Sequence, residues 1–440
     1  MAISLSTAIG HNNRRAPVTT TFIPTTSFAE LTATFQPVFD EIASGAIARE
    51  TNRALPYDAI QRLAQSGFTS LRVPTEYGGL GASLTDTFLL LARLGEADPN
   101  LVQALRAHFT TVQQLRGADR SQQQRWFPRI VAGEIFGNAT TEKGNKPGTN
   151  STRLEHRDGR WYLNGTKYYS TGSLFADWIK VAADLADGTS RRVTVHRDDP
   201  GVELVDDWDG FGQRLTASGT THLSSVAVDP SNIEPPGNEE GPGTLTSFVQ
   251  LVLLAALTGI GRAVRRDAVE YVRGRNRTFA HGVGSSPQRD PLIQEAVGRI
   301  SSRIFGVEAA FAVAINSLDA TVARAEQLDG LIEDTAELDT VTSEAQVVVV
   351  EQVLAASTQL FEVGGASATS QSRGLDRHWR NARVLGSHNP LTYRAREIGQ
   401  QRLTADAGIA PVYIGAAQPT DATFSEPSTD NPTSTQENQL

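Results

Sequence analysis

The sequence predicts a mainly α-helical protein with a small antiparallel β domain in the middle of the chain. Three observations support this fold class. Apolar residues recur at helical spacing over residues 26–135, the spacing changes to two over residues 136–240, where β-branched and aromatic residues gather, and helical spacing returns over residues 241–412. We therefore expect a helical domain, a β domain and a C-terminal four-helix bundle, in that order.

Composition and charge narrow the functional classes. The chain has 440 residues, of which 39% are hydrophobic, with a formal net charge of −9 and a pI near 5.5. Nucleic-acid binding requires clustered positive charge, so we expect no nucleic-acid partner for this acidic chain. The absence of cysteine excludes disulfides, thiolate metal ligands and a cysteine nucleophile.

The lengths of the apolar runs indicate where in the cell we expect the protein. The first residues lack an apolar run of signal-peptide length. The most apolar run, Val249 to Leu257, is about half of the roughly 18 residues that a membrane span requires. We expect a cytoplasmic protein that does not enter a membrane.

The N-terminal helical domain follows an arm. Residues 1–25 are rich in Thr, Pro and Asn without periodicity, and we expect an arm that is loose or ordered only by a partner subunit. A helix is predicted to begin after Ser27, which forms a capping-box pattern with Glu30. Gly67 is predicted to end a second helix, Tyr57 to Ser66, and a short extended piece that ends at Pro74 follows. The later predicted helices are Leu84 to Leu94 and Leu101 to Gln114.

Short runs with turn signals between them predict the β domain. Examples are RWYLNGTKYYST, WIKVAADL and SRRVTVHRD, with DG, NG and DGT turns. Four long helical patterns then predict the C-terminal bundle. They are Thr246 to Arg273, Pro291 to Leu328, Ala336 to Glu362 and Leu375 to Gly399. Residues 413–440 are polar and rich in Ser, Thr and Pro, and we predict a disordered tail.

Two histidines stand out. Pro390 disfavours helical geometry at Asn389, so we expect the backbone to open there and His388 to project into a cavity. His108 lies on a predicted helix beside apolar residues. A lone histidine in such a place is more often a satisfied core residue than a catalyst.

Two other stretches admit two interpretations each. Loop 137–150, GNATTEKGNKPGTN, can offer hydroxyl, amide and backbone N–H groups to a planar heteroaromatic ligand, or it is a polar linker. Arg273, Arg275 and Arg277 suit a phosphate or carboxylate, or they are cations that favour the macrodipole at a helix end. Standard motifs for dinucleotides, P-loops, zincins and α/β-hydrolases are absent, and we predict no metal site.

The domain order and several motifs resemble the acyl-CoA dehydrogenase superfamily of flavoproteins over residues 27–408. The motifs are VPTEYGGLGAS, TTEKGNKPGTN, NGTKYYSTGS, RNRTF and VGGASAT. Dehydrogenases that place their catalytic base in the last helical region have a Glu followed by Gly at the turn that reads LGSHNP here. The segments LDRHWRNAR and GQRLTASGTT look like the flavin-dependent monooxygenase branch, which contains dibenzothiophene monooxygenase.

This resemblance implies a two-component flavin-dependent monooxygenase. Enzymes of that branch take reduced FMN (FMNH2) from a separate NAD(P)H-dependent flavin reductase. They activate O2 as a flavin C4a-hydroperoxide and oxygenate a small molecule. We expect a largely apolar substrate here, of which an organosulfur compound is one candidate, and the resemblance implies a homotetramer.

The resemblance also implies roles for individual residues. His388 would stabilise the oxygenated flavin, since a histidine with an unperturbed pKa of about 6.5 donates a hydrogen bond or a proton near neutral pH. Asn389 would hold the flavin edge, and His108 would donate a proton to the substrate or orient it. The predicted cofactor contacts are Asn138, Thr141, Ser170, Ser218, Ser367 and, on the FMN phosphate from a neighbouring subunit, Arg277.

Two alternatives remain open from the sequence. One is an FAD-dependent acyl-CoA dehydrogenase or oxidase with its base elsewhere, and tightly bound FAD that an acyl-CoA bleaches would favour it. The other is a non-catalytic flavin-family protein that serves as a binding scaffold. Failure to bind FMN in any redox state would favour that second alternative.

Overall fold

A computed structural model describes residues 27–144, 150–235, 243–327 and 335–404. The predicted N-terminal arm, residues 1–25, and the predicted tail, residues 413–440, lie outside the described residues. Part of the predicted ligand loop, residues 145–149, also lies outside them.

Six α-helices form the N-terminal unit. They are α1 (Phe28–Asn52), α2 (Tyr57–Gln65), α3 (Leu84–Ala97), α4 (Pro99–Ala104), α5 (Arg106–Arg116) and α6 (Arg120–Val131). The predicted capping box of α1 is present, because Ser27 Oγ accepts the Glu30 N–H at 3.3 Å and the Glu30 carboxylate accepts the Ser27 N–H at 2.8 Å. The helical N-terminal domain predicted from the sequence is thus confirmed.

Two local predictions in this unit are wrong. The piece after Gly67 is not extended but begins with a 3₁₀ turn, Phe68–Ser70, because the Phe68 ring turns inward to meet the rings of Phe35 and Phe109. The single helix predicted over Leu101 to Gln114 is two helices, since Leu105 (φ −85°, ψ 0°) interrupts the α geometry. This interruption makes Arg106 the first residue of α5.

The described residues between 136 and 235 form seven strands of one sheet. They are β1 (Phe136–Ala139), β2 (Arg153–Arg157), β3 (Arg160–Lys167), β4 (Trp178–Asp184), β5 (Ser190–His196), β6 (Val202–Val205) and β7 (Thr220–Val228). Most neighbouring strands are antiparallel, but β1 and β2 each run parallel to β4, with Phe136 opposite Trp178 and Arg153 opposite Asp184. The sheet is therefore mixed rather than purely antiparallel, because the β2–β3 hairpin intervenes before the chain returns as β4.

The described residues after 243 form five α-helices, which make up the C-terminal unit. They are α7 (Leu245–Arg273), α8 (Pro291–Gln327), α9 (Ala336–Gln359), α10 (Asp376–Gly386) and α11 (Leu391–Thr404). The fourth predicted helical pattern is thus divided in two by residues 387–390. The backbone opens where Pro390 was expected to disfavour the helix.

Helix α7 is the core element of both helical units. It packs against α3, α8 and α9, and Gly95 and Gly259 permit the close approach of α3. Both α7 and α8 are long and apolar enough to cross a membrane, but a buried core helix passes the same test. The apolar window of α7 is 94% buried inside the protein, and that of α8 is 39% buried. Neither helix therefore carries more than weak support for a membrane span.

Candidate flavin and substrate site

Segment 168–173, which follows β3, is the centre of the candidate site. Tyr169 has a left-handed backbone (φ 58°), and its side chain is 48% exposed at the end of the strand. Gly172 is also left-handed (φ 79°), and a Cβ there would collide with the carbonyl oxygen of Ala104 at the end of α4. The segment is therefore pressed against the N-terminal helices while it presents an aromatic ring outward.

A cluster of buried hydroxyl groups lies beside this segment. Thr221 Oγ1 donates to Ser170 Oγ at 2.8 Å. Ser218 Oγ lies 2.8 Å from Thr171 Oγ1 and 2.7 Å from Thr216 Oγ1. Two backbone hydrogen bonds, Ser170 N–H to Gly219 O and Gly172 N–H to Thr216 O, join the two segments that carry the cluster. The structure thus brings the predicted cofactor residues Ser170 and Ser218 together.

Asn138 and Thr141 adjoin the same segment. Asn138 lies on β1, and its carbonyl oxygen accepts a hydrogen bond from Ser173 Oγ at 3.1 Å. Thr141 forms an isolated bridge with Tyr168, whose N–H donates to Thr141 O at 2.8 Å. Four of the six predicted cofactor residues therefore lie on or beside segment 168–173.

A buried ion pair fixes the loop after β1. Lys167 Nζ lies 2.6 Å from Glu142 Oε1, and the Lys167 side chain is fully buried. Burial opposes ionisation of Glu142, but hydrogen bonds from Lys167, Ser151 and Thr152 prevail and lower its pKa to about 2. Glu142 therefore joins the end of β3 to Ser151 and Thr152 as a carboxylate.

His388 and Asn389 lie in the turn between α10 and α11. Asn389 is buried, and its Nδ2 donates to Gln250 Oε1 on α7 at 2.6 Å. The His388 side chain is solvent-accessible. The positive charge of Arg106 and desolvation nevertheless lower the pKa of His388 to about 3, against a hydrogen bond with Asn389. We refer to the space beside the exposed His388 side chain and Arg106 as the candidate cleft.

The lowered pKa changes the chemistry expected of His388. The imidazole is neutral at pH 7, so it donates a hydrogen bond from its one N–H but does not carry a proton for transfer. Geometry and charge thus favour hydrogen-bond donation by His388 in the ligand-free protein, and its predicted catalytic role stays a prediction.

His108 occupies a different environment. Its side chain is fully buried, its Nε2 lies 2.8 Å from Thr69 O, and its Nδ1 accepts the Phe136 N–H at 3.2 Å. The second contact fixes the proton on Nε2, which donates to the carbonyl of Thr69. Both ring nitrogens are thus used by the main chain, and desolvation lowers the pKa of His108 to about 4. This geometry gives His108 a part in positioning β1, and its expected role towards the substrate stays a prediction.

Arg277 and Ser367 lie at another end of the molecule. Arg277 is exposed in the segment after α7, and Ser367 Oγ contacts Tyr271 Oη, near the C-terminal end of α7, at 2.6 Å. Gln250, which holds Asn389, lies near the N-terminal end of the same helix, about 30 Å away at the rise of an α-helix. One protomer does not bring Arg277 and His388 together.

The grouped residues fit the ring system of a flavin. An isoalloxazine needs a flat face to lie on and hydrogen-bonding groups along one edge. Tyr169 exposes such a face, and the hydroxyl cluster supplies donors and acceptors beside it. Gln213 adds a buried side-chain amide, neither atom of which has a partner among the described residues. Segment 168–173 is therefore the candidate position for the FMN ring.

Two residues of the cleft went unnoticed in the sequence. Arg106 is an ordinary residue in a helical pattern, and only its burial next to His388 marks it. Gln250 lies in the most apolar run of the chain, and a polar residue in such a run was the one sign in the sequence that its side chain needs a buried partner. Neither residue belongs to a recognisable motif.

Comparison with known proteins supports the predicted fold and family. The acyl-CoA dehydrogenase N-terminal domain matches residues 31–134, and the acyl-CoA dehydrogenase C-terminal domain matches residues 251–393. A probable FMNH2-dependent monooxygenase from Pseudomonas putida is 28% identical over 85% of this chain and 94% of that protein. Dibenzothiophene monooxygenase from Mycolicibacterium goodii is 27% identical over 77% of this chain and 85% of that protein.

Solved structures show the same similarity. A methanesulfinate monooxygenase from Pseudomonas fluorescens superposes with a TM-score of 0.78 at 25% identity, over 86% of this chain and 98% of that one. A complex of TdsC from Paenibacillus sp. A11-2 with FMN and indole gives the same TM-score, identity and coverage. The two matched domains span more than half of the chain, and the helical, β and helical units follow in the same order, so the chain belongs to the acyl-CoA dehydrogenase family.

Proposed function

We propose that this protein is a two-component monooxygenase that uses FMNH2 and O2 to oxygenate a small organosulfur compound. The observation that carries the proposal is the turn at residues 387–390. It presents a neutral, accessible imidazole, and its residues, Ser-His-Asn-Pro, include no carboxylate. Relatives described as an FMNH2-dependent monooxygenase and as dibenzothiophene monooxygenases support the proposal.

The protein's own residues bind and orient the reactants. Reduced FMN supplies the electrons that activate O2 for oxygen transfer. Ser170 and Ser218 bind the hydrogen-bonding edge of the ring, with Asn138 and Thr141 at its border. Asn389, anchored by Gln250, sets the orientation of the turn.

His388 donates a hydrogen bond into the cleft. Because its imidazole is neutral at pH 7, it offers an N–H donor without adding a second positive charge beside Arg106. A carboxylate in this position would be ionised and would accept rather than donate a hydrogen bond. The turn is therefore suited to stabilising an oxygen atom rather than to removing a proton from carbon.

This distinction separates the proposal from an FAD-dependent acyl-CoA dehydrogenase. That reaction needs a base close to the substrate α-carbon, and a base with a pKa of about 3 is a weak proton acceptor. A non-catalytic scaffold would not need an accessible histidine held by a buried amide pair. We therefore favour the monooxygenase over both alternatives.

A coupled assay tests the function. The purified protein is mixed with an NADH-dependent FMN reductase, FMN, ¹⁸O₂ and a panel of thiophenes, sulfones and sulfinates, and products are analysed by mass spectrometry. We expect a product that carries one ¹⁸O atom only when the reductase is present, and strong loss of that product with His388→Ala. Reduction of bound FAD by acyl-CoA, with no oxygenated product across the panel, would support the dehydrogenase instead.

We further propose that the working enzyme is a cytoplasmic homotetramer in which Arg277 contacts the FMN phosphate of a neighbouring subunit. The separation along α7 supports this proposal, since one chain keeps Arg277 far from its own cleft. Subunit mixing tests it. If Arg277→Ala and His388→Ala are each inactive, their co-expressed hybrids should regain activity, because one interface pairs an intact His388 with an intact Arg277. Hybrids without activity would show that both residues act within one chain.

A further inference from the structure

The cleft contains a buried cation that the proposed reaction does not use. Arg106 is only 7% exposed, and its Nη1 has no hydrogen-bond partner among the described residues. No ion pair with Arg106 occurs in that part of the chain either. Desolvation lowers the pKa of Arg106 to about 10, which still leaves the guanidinium charged at pH 7.

This placement is energetically unfavourable in two ways. A guanidinium removed from water without a carboxylate or a full set of acceptors loses its solvation and gains nothing in return. Arg106 is also the first residue of α5, where the positive end of the helix dipole opposes a cation. Arg394, which is buried to a similar degree, is compensated by Glu397 at 2.7 Å. Arg106 lacks such a carboxylate among the described residues, and a bound anion would supply one.

Two further hydrogen-bond donors lie at the 387–390 turn. Its charge is the largest cause of the low pKa of His388, so the two side chains are electrostatically close. Gln250, which uses Oε1 to bind Asn389, has a buried Nε2 with no partner in the described part of the chain. The 387–390 turn therefore carries a neutral imidazole and is bordered by an unpaired guanidinium and an unpaired amide, all of which can donate hydrogen bonds.

We propose that the substrate carries an anionic group, a carboxylate or a sulfur oxyanion, which Arg106 binds beside His388. This inference rests on the proposed monooxygenase function and specifies its substrate class. Arg106 forms the planar two-donor contact that such an anion accepts, and the anion supplies the missing counter-charge. The remainder of the substrate can stay apolar, as the sequence led us to expect.

Binding measurements on the FMN-saturated protein test this proposal. The probes are benzenesulfinate and benzoate, with methyl phenyl sulfone and benzamide as uncharged controls of similar shape. We expect wild type to bind each anion at least about 10-fold more tightly than its neutral control. Arg106→Met should remove that preference and leave the affinity for the neutral probes unchanged within about 3-fold.

Three further readouts separate anion binding from a structural role. Arg160→Met, at the exposed start of β3, is the control and should keep the preference. Ligand-free Arg106→Met should be as thermostable as wild type or more so, since it removes an uncompensated charge. Arg106→Lys, which keeps the charge but not the planar fork, should retain a weaker preference and provides the test if the Met variant does not fold.

Several results would overturn the proposal. One is equal affinity of wild type for charged and neutral probes, and another is a preference that persists in Arg106→Met. Weaker FMN binding by Arg106→Met with an unchanged anion preference would assign the charge to the flavin instead. Because binding needs no turnover, an Arg106-dependent preference without any oxygenated product would contradict only the proposed function.

Discussion

The electrostatic contact between Arg106 and His388 leads to a quantitative prediction. The pKa of His388 is lowered from 6.5 to about 3, and the charge of Arg106 is the larger of the two causes that lower it, ahead of desolvation. Arg106 therefore accounts for at least half of the lowering. Arg106→Met, which removes the charge but keeps a long apolar side chain, should raise the pKa of His388 to about 5 or higher, a change of about 3 kcal/mol in the free energy of protonation.

An NMR titration measures this change. Protein labelled with ¹³C-histidine is titrated from pH 8 to pH 4.5, and the His388 signal is assigned by its loss in His388→Gln. We expect the wild-type signal to stay constant over this range and the Arg106→Met signal to move with a midpoint near or above pH 5. Arg160→Met serves as the control for general charge effects and should behave like wild type.

One outcome would refute the reasoning. If the His388 signal of Arg106→Met stays constant over the same range, desolvation rather than the charge of Arg106 keeps the imidazole neutral. The charge of Arg106 would then have no measurable effect on the pKa of His388. A shift of similar size in Arg160→Met would equally contradict a specific contact, since that residue lies on the β domain surface.

Three further predictions concern stability. His108→Gln should make the free energy of unfolding less dependent on pH. Burial lowers the pKa of His108 from 6.5 to about 4, so the neutral imidazole stabilises the fold fully above pH 6.5, and about 3 kcal/mol of that stabilisation is lost by pH 4 in the wild type. Urea unfolding at both pH values measures the difference between the two proteins. Gly172→Ala should weaken FMN binding and lower Tm much more than the control Gly188→Ala. Gly188 has the same left-handed backbone as Gly172 but open space around it. Equal effects of the two substitutions would exclude the collision with α4 as the cause. Asn389→Leu and Gln250→Leu should each lower the free energy of unfolding by about 1–3 kcal/mol, because each leaves a buried partner unpaired. The double variant should lose less stability than the sum of the two single variants, and strictly additive losses would argue against the hydrogen bond.

Local chemistry made much of the fold predictable. The capping box at Ser27 and the helical periodicity of α7 need only neighbouring residues to be recognised. The break before α11 was visible in the same way, because a proline restricts the residue before it whatever the tertiary context. The parallel pairing of β1 with β4 was not visible, since alternation in a strand does not say which neighbour it joins.

Some residues of the candidate site were predictable from the sequence, and others became visible only in the fold. Ser170 and Ser218 lie on segments that resemble known flavin contacts, and the structure brings them to one hydroxyl cluster. His108 was the less predictable case, because its two main-chain partners, at Thr69 and Phe136, come from distant parts of the sequence. Arg106 could not be singled out at all, since the absence of a counter-charge is a property of the folded surroundings and not of the residue.

The position of Arg106 also couples substrate binding to the protonation of His388. Arg106 and desolvation lower the pKa of His388, and Asn389 alone among its neighbours opposes them. An anion bound to the guanidinium would cancel part of the effect of Arg106 and raise that pKa towards its ordinary value. By thermodynamic reciprocity, protonated His388 would bind the anion more tightly by the same factor. The imidazole would thus be a pure hydrogen-bond donor in the empty cleft and would become a stronger acid–base group once an anionic substrate is bound. In an oxygenase, this order of events favours proton transfer in the presence of substrate over proton transfer without it.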